Sequence, residues 1–286
     1  MGQVEIGISG WTYEGWRGIF YPEKLPHKKE LEFASHIFST IEINGTFYSL
    51  QGQKSYLKWY ETTPSNFIFS VKANRYITHF NRIKTPLLPT ANFFASGVLA
   101  LREKLGPILW QFPPSMRFEP ERFEDFFKLL PHTFKQAAVL GRRSILKEKY
   151  LKVVADRRIR HAIEVRHSSF LNPLFIELLR EYRIALVFAD TAGKWPYFED
   201  ITSDFIYVRL HGDSMIYASG YSDGSLSFWS KRIKKWQMGK EADDRLTISE
   251  DTPTSDDRDV FVYFDNDAKV RAPADAQALI TKIKEG

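Results

Sequence analysis

Short runs of β-branched, aliphatic and aromatic residues recur along the chain, separated by longer stretches in which apolar positions return every three or four residues. This alternation predicts strands and helices in turn. The runs place strands at 4–9 (VEIGIS), 39–43 (STIEI), 67–71 (FIFSV), 107–112 (PILWQF), 161–165 (HAIEV), 184–189 (IALVFA), 205–210 (FIYVRL) and 260–264 (VFVYF). Helices are expected at 28–38, 53–62, 92–104, 120–129, 170–182, 225–238 and 273–284. Phe94, Val98, Leu101 and Leu105 share one helical face, and 170–182 opens near an Asn-Pro start. The segment TAGKWPYFED after the sixth strand leaves a short helix or none.

Eight strands alternating with helices in 286 residues predict one α/β domain over 1–286, a closed (β/α)8 TIM-like barrel. A doubly wound open sheet would carry a glycine-rich phosphate loop after its first strand. Gly7-Ile8-Ser9-Gly10-Trp11 has neither that spacing nor a P-loop, so no nucleotide cofactor is expected. The stretch 239–259 lacks periodicity and reads as a long, mobile acidic surface loop before the last strand.

Composition narrows the chemistry. The chain has no cysteine, which removes disulfides, thiolate zinc sites, iron–sulfur clusters and thiol nucleophiles, so any metal must rest on His, Asp and Glu. No apolar run approaches the roughly 20 residues of a membrane span, and the start lacks the basic and apolar regions of a signal peptide, so a cytoplasmic protein is expected. The net charge of +5 is unevenly spread: 241–259 holds eight acids and two bases, whereas 141–160 holds eight bases and two acids. That distribution permits a nucleic-acid partner without demanding one.

In such a barrel the site lies at the carboxyl ends of the strands. Those ends carry Ser9 and Trp11; Glu42 and Asn44; Lys72; Gln111; Glu164, Arg166 and His167; Asp190; Arg209 and His211; and Asp265 with Asn266. Glu164 and Arg166 share one strand face, either as a structural ion pair or as an acid poised by a guanidinium. His211 is a candidate base or metal ligand, and Lys72 a binder of a substrate anion. Glu42, Glu164, His167, Asp190, His211 and Asp265 are sufficient in type for a divalent ion, yet show no diagnostic spacing. Trp11, Tyr13, Trp16, Phe20 and Tyr21, with Tyr48, Trp59 and Tyr76, form either a stacking wall for rings or the packing of a long loop. Gly220-Tyr221-Ser222-Asp223-Gly224 matches a nucleophile elbow, but no histidine follows His211, so it reads as a helix cap.

Ile6-Gly7-Ile8-Ser9-Gly10-Trp11 with Trp16, Gly18 and Phe20-Tyr21-Pro22, then Thr40-Ile41-Glu42-Ile43-Asn44 with Thr46-Phe47-Tyr48, resembles the YecE-like family, also called domain of unknown function 72. Val71-Lys72-Ala73 with Tyr76-Ile77-Thr78-His79, Gly106 to Gln111 with Pro113-Pro114, Ala162 to His167, Arg209-Leu210-His211-Gly212 and Tyr263-Phe264 with Asn266-Asp267 continue the match in family order. The resemblance implies a TIM-like barrel and supplies no reaction. Asp265 stands where the family usually has Asn, and the 239–259 stretch is longer than the family's usual connection.

The expected function is that of a hydrolase-type barrel enzyme acting on an anionic, phosphate-bearing small molecule or nucleic acid. Glu42, Glu164, Asp190 and His211 are the acid–base or metal-binding candidates. Trp11, Asn44, Tyr48, Lys72, Gln111, Arg166, His167, Arg209 and Asn266 are the substrate-binding candidates. The alternatives are a carbohydrate-active hydrolase or isomerase, for which Glu42 and Glu164 would form the acid pair, and a non-catalytic ligand-binding barrel. A divalent metal is compatible with these residues; no membrane partner is expected, and the sequence leaves the oligomeric state open.

Overall fold

A computed structural model describes residues 1–250 and 255–285. Its eight strands are β1 (Val4–Ser9), β2 (Thr40–Ile43), β3 (Ile68–Lys72), β4 (Leu105–Gln111), β5 (His161–Glu164), β6 (Ala185–Asp190), β7 (Phe205–Leu210) and β8 (Asp259–Phe264). They form a closed barrel in chain order, as the sequence pattern predicts, and no boundary departs from its expected place by more than two residues. Strands covered on both faces need continuous apolar or β-branched runs, and β7 is buried at every position. The helices are α1 (Glu30–Ile37), α2 (Gly45–Tyr48), α3 (Gln53–Thr62), α4 (Leu87–Ala95), α5 (Pro120–Leu129), α6 (Phe134–Gly141), α7 (Pro173–Glu181), α8 (Asp223–Gln237) and α9 (Arg271–Glu285). Among the described residues, none is long and apolar enough to cross a membrane.

The chain divides into two compact units, Met1–Glu42 with Leu171–Gly286, and Ile43–Phe170. In the first, β1 pairs with β2 and β8, and β7 with β6 and β8, all parallel. Asn172 caps α7 through Leu174 N, with Pro173 in the first turn, where its missing N–H costs nothing. Residues 191–204 contain no helix, as TAGKWPYFED suggests. The stretch 239–250 contains neither helix nor strand. Within it Asp244 pairs with Arg232 at 2.8 Å, Asp243 with Lys235 at 2.6 Å, and buried Asp200 accepts from Ile248 N and Ser249 N. The remainder of the expected mobile loop includes 251–254, which lie outside the described residues.

In the second unit the expected helix 92–104 is two elements, α4 and a 3-10 segment, Val98–Lys104. The break falls at Gly97, whose φ of +145° suits glycine, and a Cβ there would lie 2.7 Å from Gln53 Cα on α3. The helical spacing of Phe94, Val98 and Leu101 therefore continues across a turn. Helix α6 was not expected, although Thr133 and Gln136 form a capping box that Thr-x-x-Gln signals in sequence. Trp110 is fully buried between Phe93 and Phe126 and donates to His161 Nδ1 at 3.1 Å. That nitrogen must be a lone pair, and burial pushes the His161 pKa down to about 3.

The β1–β2 ladder gives a direct stability test. A Cβ on Gly7 would lie 1.8 Å from the Thr40 carbonyl oxygen, so the two strands can pair only with glycine at this position. Gly7→Ala should cost about 3 kcal/mol in chemical denaturation, because neither backbone can retreat without losing ladder bonds.

Candidate functional site

In the first unit, alternation along the strands turns Glu42, Tyr207, Arg209 and Ser9 toward one another. The Glu42 carboxylate is fully buried and accepts four hydrogen bonds: from Ser9 Oγ, from Tyr207 Oη at 2.6 Å, and from Arg209 Nε at 3.1 Å and Nη2 at 2.8 Å. Burial and the neighbouring carboxylate charge raise the Tyr207 pKa well above its ordinary value, so this phenol remains a donor. Arg209 Nη2 also reaches Asp265 Oδ2 at 2.9 Å, giving one guanidinium two carboxylates. The bidentate pair supplies the geometry and hydrogen bonds a buried charge needs.

His211 closes this cluster. Its Nε2 lies 3.3 Å from Arg209 Nη1, which can only donate, so Nε2 is a lone pair and the proton sits on Nδ1, 3.0 Å from Asp265 Oδ2. The imidazole is therefore a neutral, oriented group between a guanidinium and a carboxylate. Asp265, with 14% of its side chain exposed, is the solvent-facing member of the set. Asp267, in the turn after β8, titrates near about 6, because burial and the charge of Asp265 both disfavour its anion.

The other candidates of this unit have different partners. Asp190 accepts from Tyr221 Oη at 3.0 Å, and burial together with the charge of Asp213 raises its pKa. Asn266 is buried and donates to Ser219 O and Asp275 Oδ2, tying the end of β8 to α9. The Trp11 carbonyl accepts from Tyr21 Oη at 2.6 Å. Trp16 and Tyr21 are buried, and Trp16 is in ring contact with Tyr13 and Phe20, so these rings pack the first loop.

In the second unit the β4–β5 register sets Gln111 opposite Glu164. Gln111 Nε2 donates to both oxygens of the buried Glu164 carboxylate at 2.9 and 3.0 Å, and Arg166 Nε donates at 2.7 Å. Lys72 is buried, with its ammonium 4.2 Å from the centre of the Phe47 ring. Arg75 stacks on two exposed rings, Tyr48 at 5.2 Å and Phe80 at 5.5 Å. Burial, then Lys72 and Arg166, with a smaller contribution from Arg75, lowers His79 to about 4 against the opposing pull of Glu164. Asn44 precedes α2 and is half-buried. His167 Nδ1 accepts from Ser169 N, an ordinary turn contact.

Gln111, Glu164 and Arg166 thus come together, as do Glu42, Arg209 and His211, while His167 and Asn266 serve local structure. Sequence reading missed Tyr207, Arg75, Asp267 and Asp275. Tyr207 was accessible through its i, i+2 relation to Arg209; Asp275 lies on α9 and has no local signal. Among the described residues no three His, Asp or Glu side chains are arranged to hold a metal ion. Glu42 and Asp265, two of the expected ligands, are engaged on Arg209.

Two substitutions probe the first cluster. Glu42→Gln should cost about 3–5 kcal/mol, since it removes the main counter-charge of a fully buried guanidinium. Asp267→Asn should act oppositely. A carboxyl whose folded pKa is raised is protonated longer in the folded state, so wild-type stability falls as pH rises from about 4 to about 6. The variant should flatten that dependence and melt higher than wild type at pH 7.

Comparison with known proteins agrees with this architecture. Residues 5–286 match the family model described as protein of unknown function DUF72. A segment of 116 residues is 32% identical to the UPF0759 protein YunF of Bacillus subtilis, covering 39% of this chain and 40% of that relative's length. A DUF72 family structure from Thermotoga maritima superposes with a TM-score of 0.73 at 22% identity, over 99% of each chain. One from Enterococcus faecalis gives 0.70 at 15% identity, over 99% of this chain and 96% of the other. The chain belongs to the DUF72 family, and the two DUF72 structures share its fold.

Proposed function

We propose that the protein is a hydrolase-type enzyme that binds an anionic, phosphate-bearing substrate, a small molecule or a nucleic-acid phosphate. The carrying observation is the cluster around Glu164, where Lys72, Arg166 and Arg75 bring positive charge to His79, which burial and then Lys72 and Arg166 lower to about 4. Positive charge gathered in one place favours an anion. Within this reading Glu164, fixed by Gln111, orients Arg166. His79, uncharged at neutral pH, accepts a proton once a bound anion offsets its cationic neighbours. In the first unit Glu42 holds Arg209, while Asp190, His211, Asp265 and Asp267 are the groups able to exchange protons.

The enclosure of Glu42 and Glu164 by guanidinium groups favours a second reading, a barrel that binds the anion without turning it over. A carbohydrate-active role draws less support, because the buried Trp16 and Tyr21 are unavailable to sugar rings.

Inorganic phosphate and a short single-stranded oligonucleotide should each raise the melting temperature of the wild type, as any ligand of the folded state does. Lys72→Met and Arg166→Met should abolish both responses. Arg166→Met should also cost less than the roughly 3–5 kcal/mol of a purely structural buried pair. A large loss of stability with an unchanged ligand response would overturn the anion-binding role of Arg166. Release of nitrophenol from bis-p-nitrophenyl phosphate separates the two readings, with binding and no turnover favouring the non-catalytic one.

A further inference from the structure

We propose that a cavity of about 460 Å³ in the first unit, beside the carboxyl ends of β6 and β7, binds an organic cation: an ammonium carried on an apolar or aromatic body. Its wall combines two carboxylates, Asp190 and Asp213, with four rings, Trp195, Tyr197, Phe228 and Trp229. Among the described residues lining it there is no Lys, Arg or His. Carboxylates supply the counter-charge and ring faces the quadrupole attraction; aromatic cages for quaternary ammonium groups use the same combination.

Both acids are held in place with acceptor capacity to spare. Asp190 takes Ala192 N at 3.3 Å on one oxygen and Tyr221 Oη at 3.0 Å on the other. Asp213 Oδ2 takes Ser222 N at 3.2 Å and Ser225 Oγ at 2.8 Å. Each carboxylate offers about four lone-pair directions, so two hydrogen bonds do not exhaust it. The same contacts dispose of an objection. The amino end of α8 borders the cavity and its dipole would repel a cation, but Ser222 caps that end and Asp213 adds a charge that offsets it.

The rings already attract the protein's own cations from outside the lining: Lys194 Nζ lies 5.1 Å from the Trp195 ring, and the Arg232 guanidinium 4.2 Å from Phe228. The charge of Asp213 also adds to burial in raising Asp190, a like-charge repulsion that a bound cation would relieve. A hard divalent ion fits poorly, since it requires six or more oxygens where this cavity offers two carboxylates among aromatic faces. Asp190 is the one residue shared with the phosphate reading, whose anion-binding residues Lys72, Arg75 and Arg166 do not line this cavity.

Benzyltrimethylammonium and benzyl alcohol share a ring and differ in charge, and Trp195 and Trp229 provide a fluorescence signal in the full-length protein. The cation should quench tryptophan emission saturably and bind at least about tenfold more tightly than the alcohol, a difference of about 1.4 kcal/mol. Asp213→Asn and Phe228→Ala should each weaken it by about fivefold or more, with the phosphate response unchanged. If Asp213→Asn disturbs folding through the α8 cap, Phe228→Ala carries the test, because that ring is 41% exposed. Equal binding of cation and alcohol, no saturable binding of the cation, or an unchanged cation affinity in Phe228→Ala would overturn the proposal.

Discussion

A charge carried into a protein interior must find a counter-charge and a full set of hydrogen bonds, and the Glu42–Arg209 pair meets that condition inside the first unit. Strand register makes the pairing available. β1 pairs with β2 so that Ser9 stands opposite Glu42, and β7 pairs with β8 so that Arg209 stands opposite Tyr263. A one-residue slip in any of these strands would turn its member of the cluster to the opposite face. Gly7 belongs to the same arrangement, since close approach of β1 and β2 is what seats the Ser9 hydroxyl on the carboxylate. Asp265 and His211 then extend the pair toward solvent.

The second unit meets the same constraint differently. Glu164 is held by Gln111 and Arg166 as firmly as Glu42 is held by its partners, yet Lys72 and Arg75 add positive charge to the group. The fold contributes position alone. Barrels of this type host many chemistries, and the DUF72 relatives named above bring no reaction with them.

The eight strands were legible because each is a short apolar run bounded by turn residues, and a wholly buried parallel sheet leaves that imprint. Their polar ends were legible for the same reason, which is why Glu42, Glu164, Arg166, Arg209 and His211 could be singled out. Roles were harder to read. Nothing local in Asn266 reveals that its amide is committed to Asp275 on α9, and nothing in Trp16 or Tyr21 distinguishes a loop's own core from a binding wall. The helix break at Gly97 escaped periodicity because apolar residues keep helical spacing on both sides of it. The pairing of Asp243 with Lys235 and of Asp244 with Arg232 escaped composition, because it depends on α8 being brought beside the acidic run.

The proposed anion site of the second unit is tested most directly by following the His79 imidazole in a pH titration by NMR, with and without saturating inorganic phosphate. In the free protein burial, with Lys72 and Arg166 adding to it, should hold its midpoint at about 4. A phosphate bound among them should raise that midpoint toward the ordinary histidine value. A midpoint that phosphate does not move, or one already ordinary in the free protein, would contradict an anion site at Lys72 and Arg166.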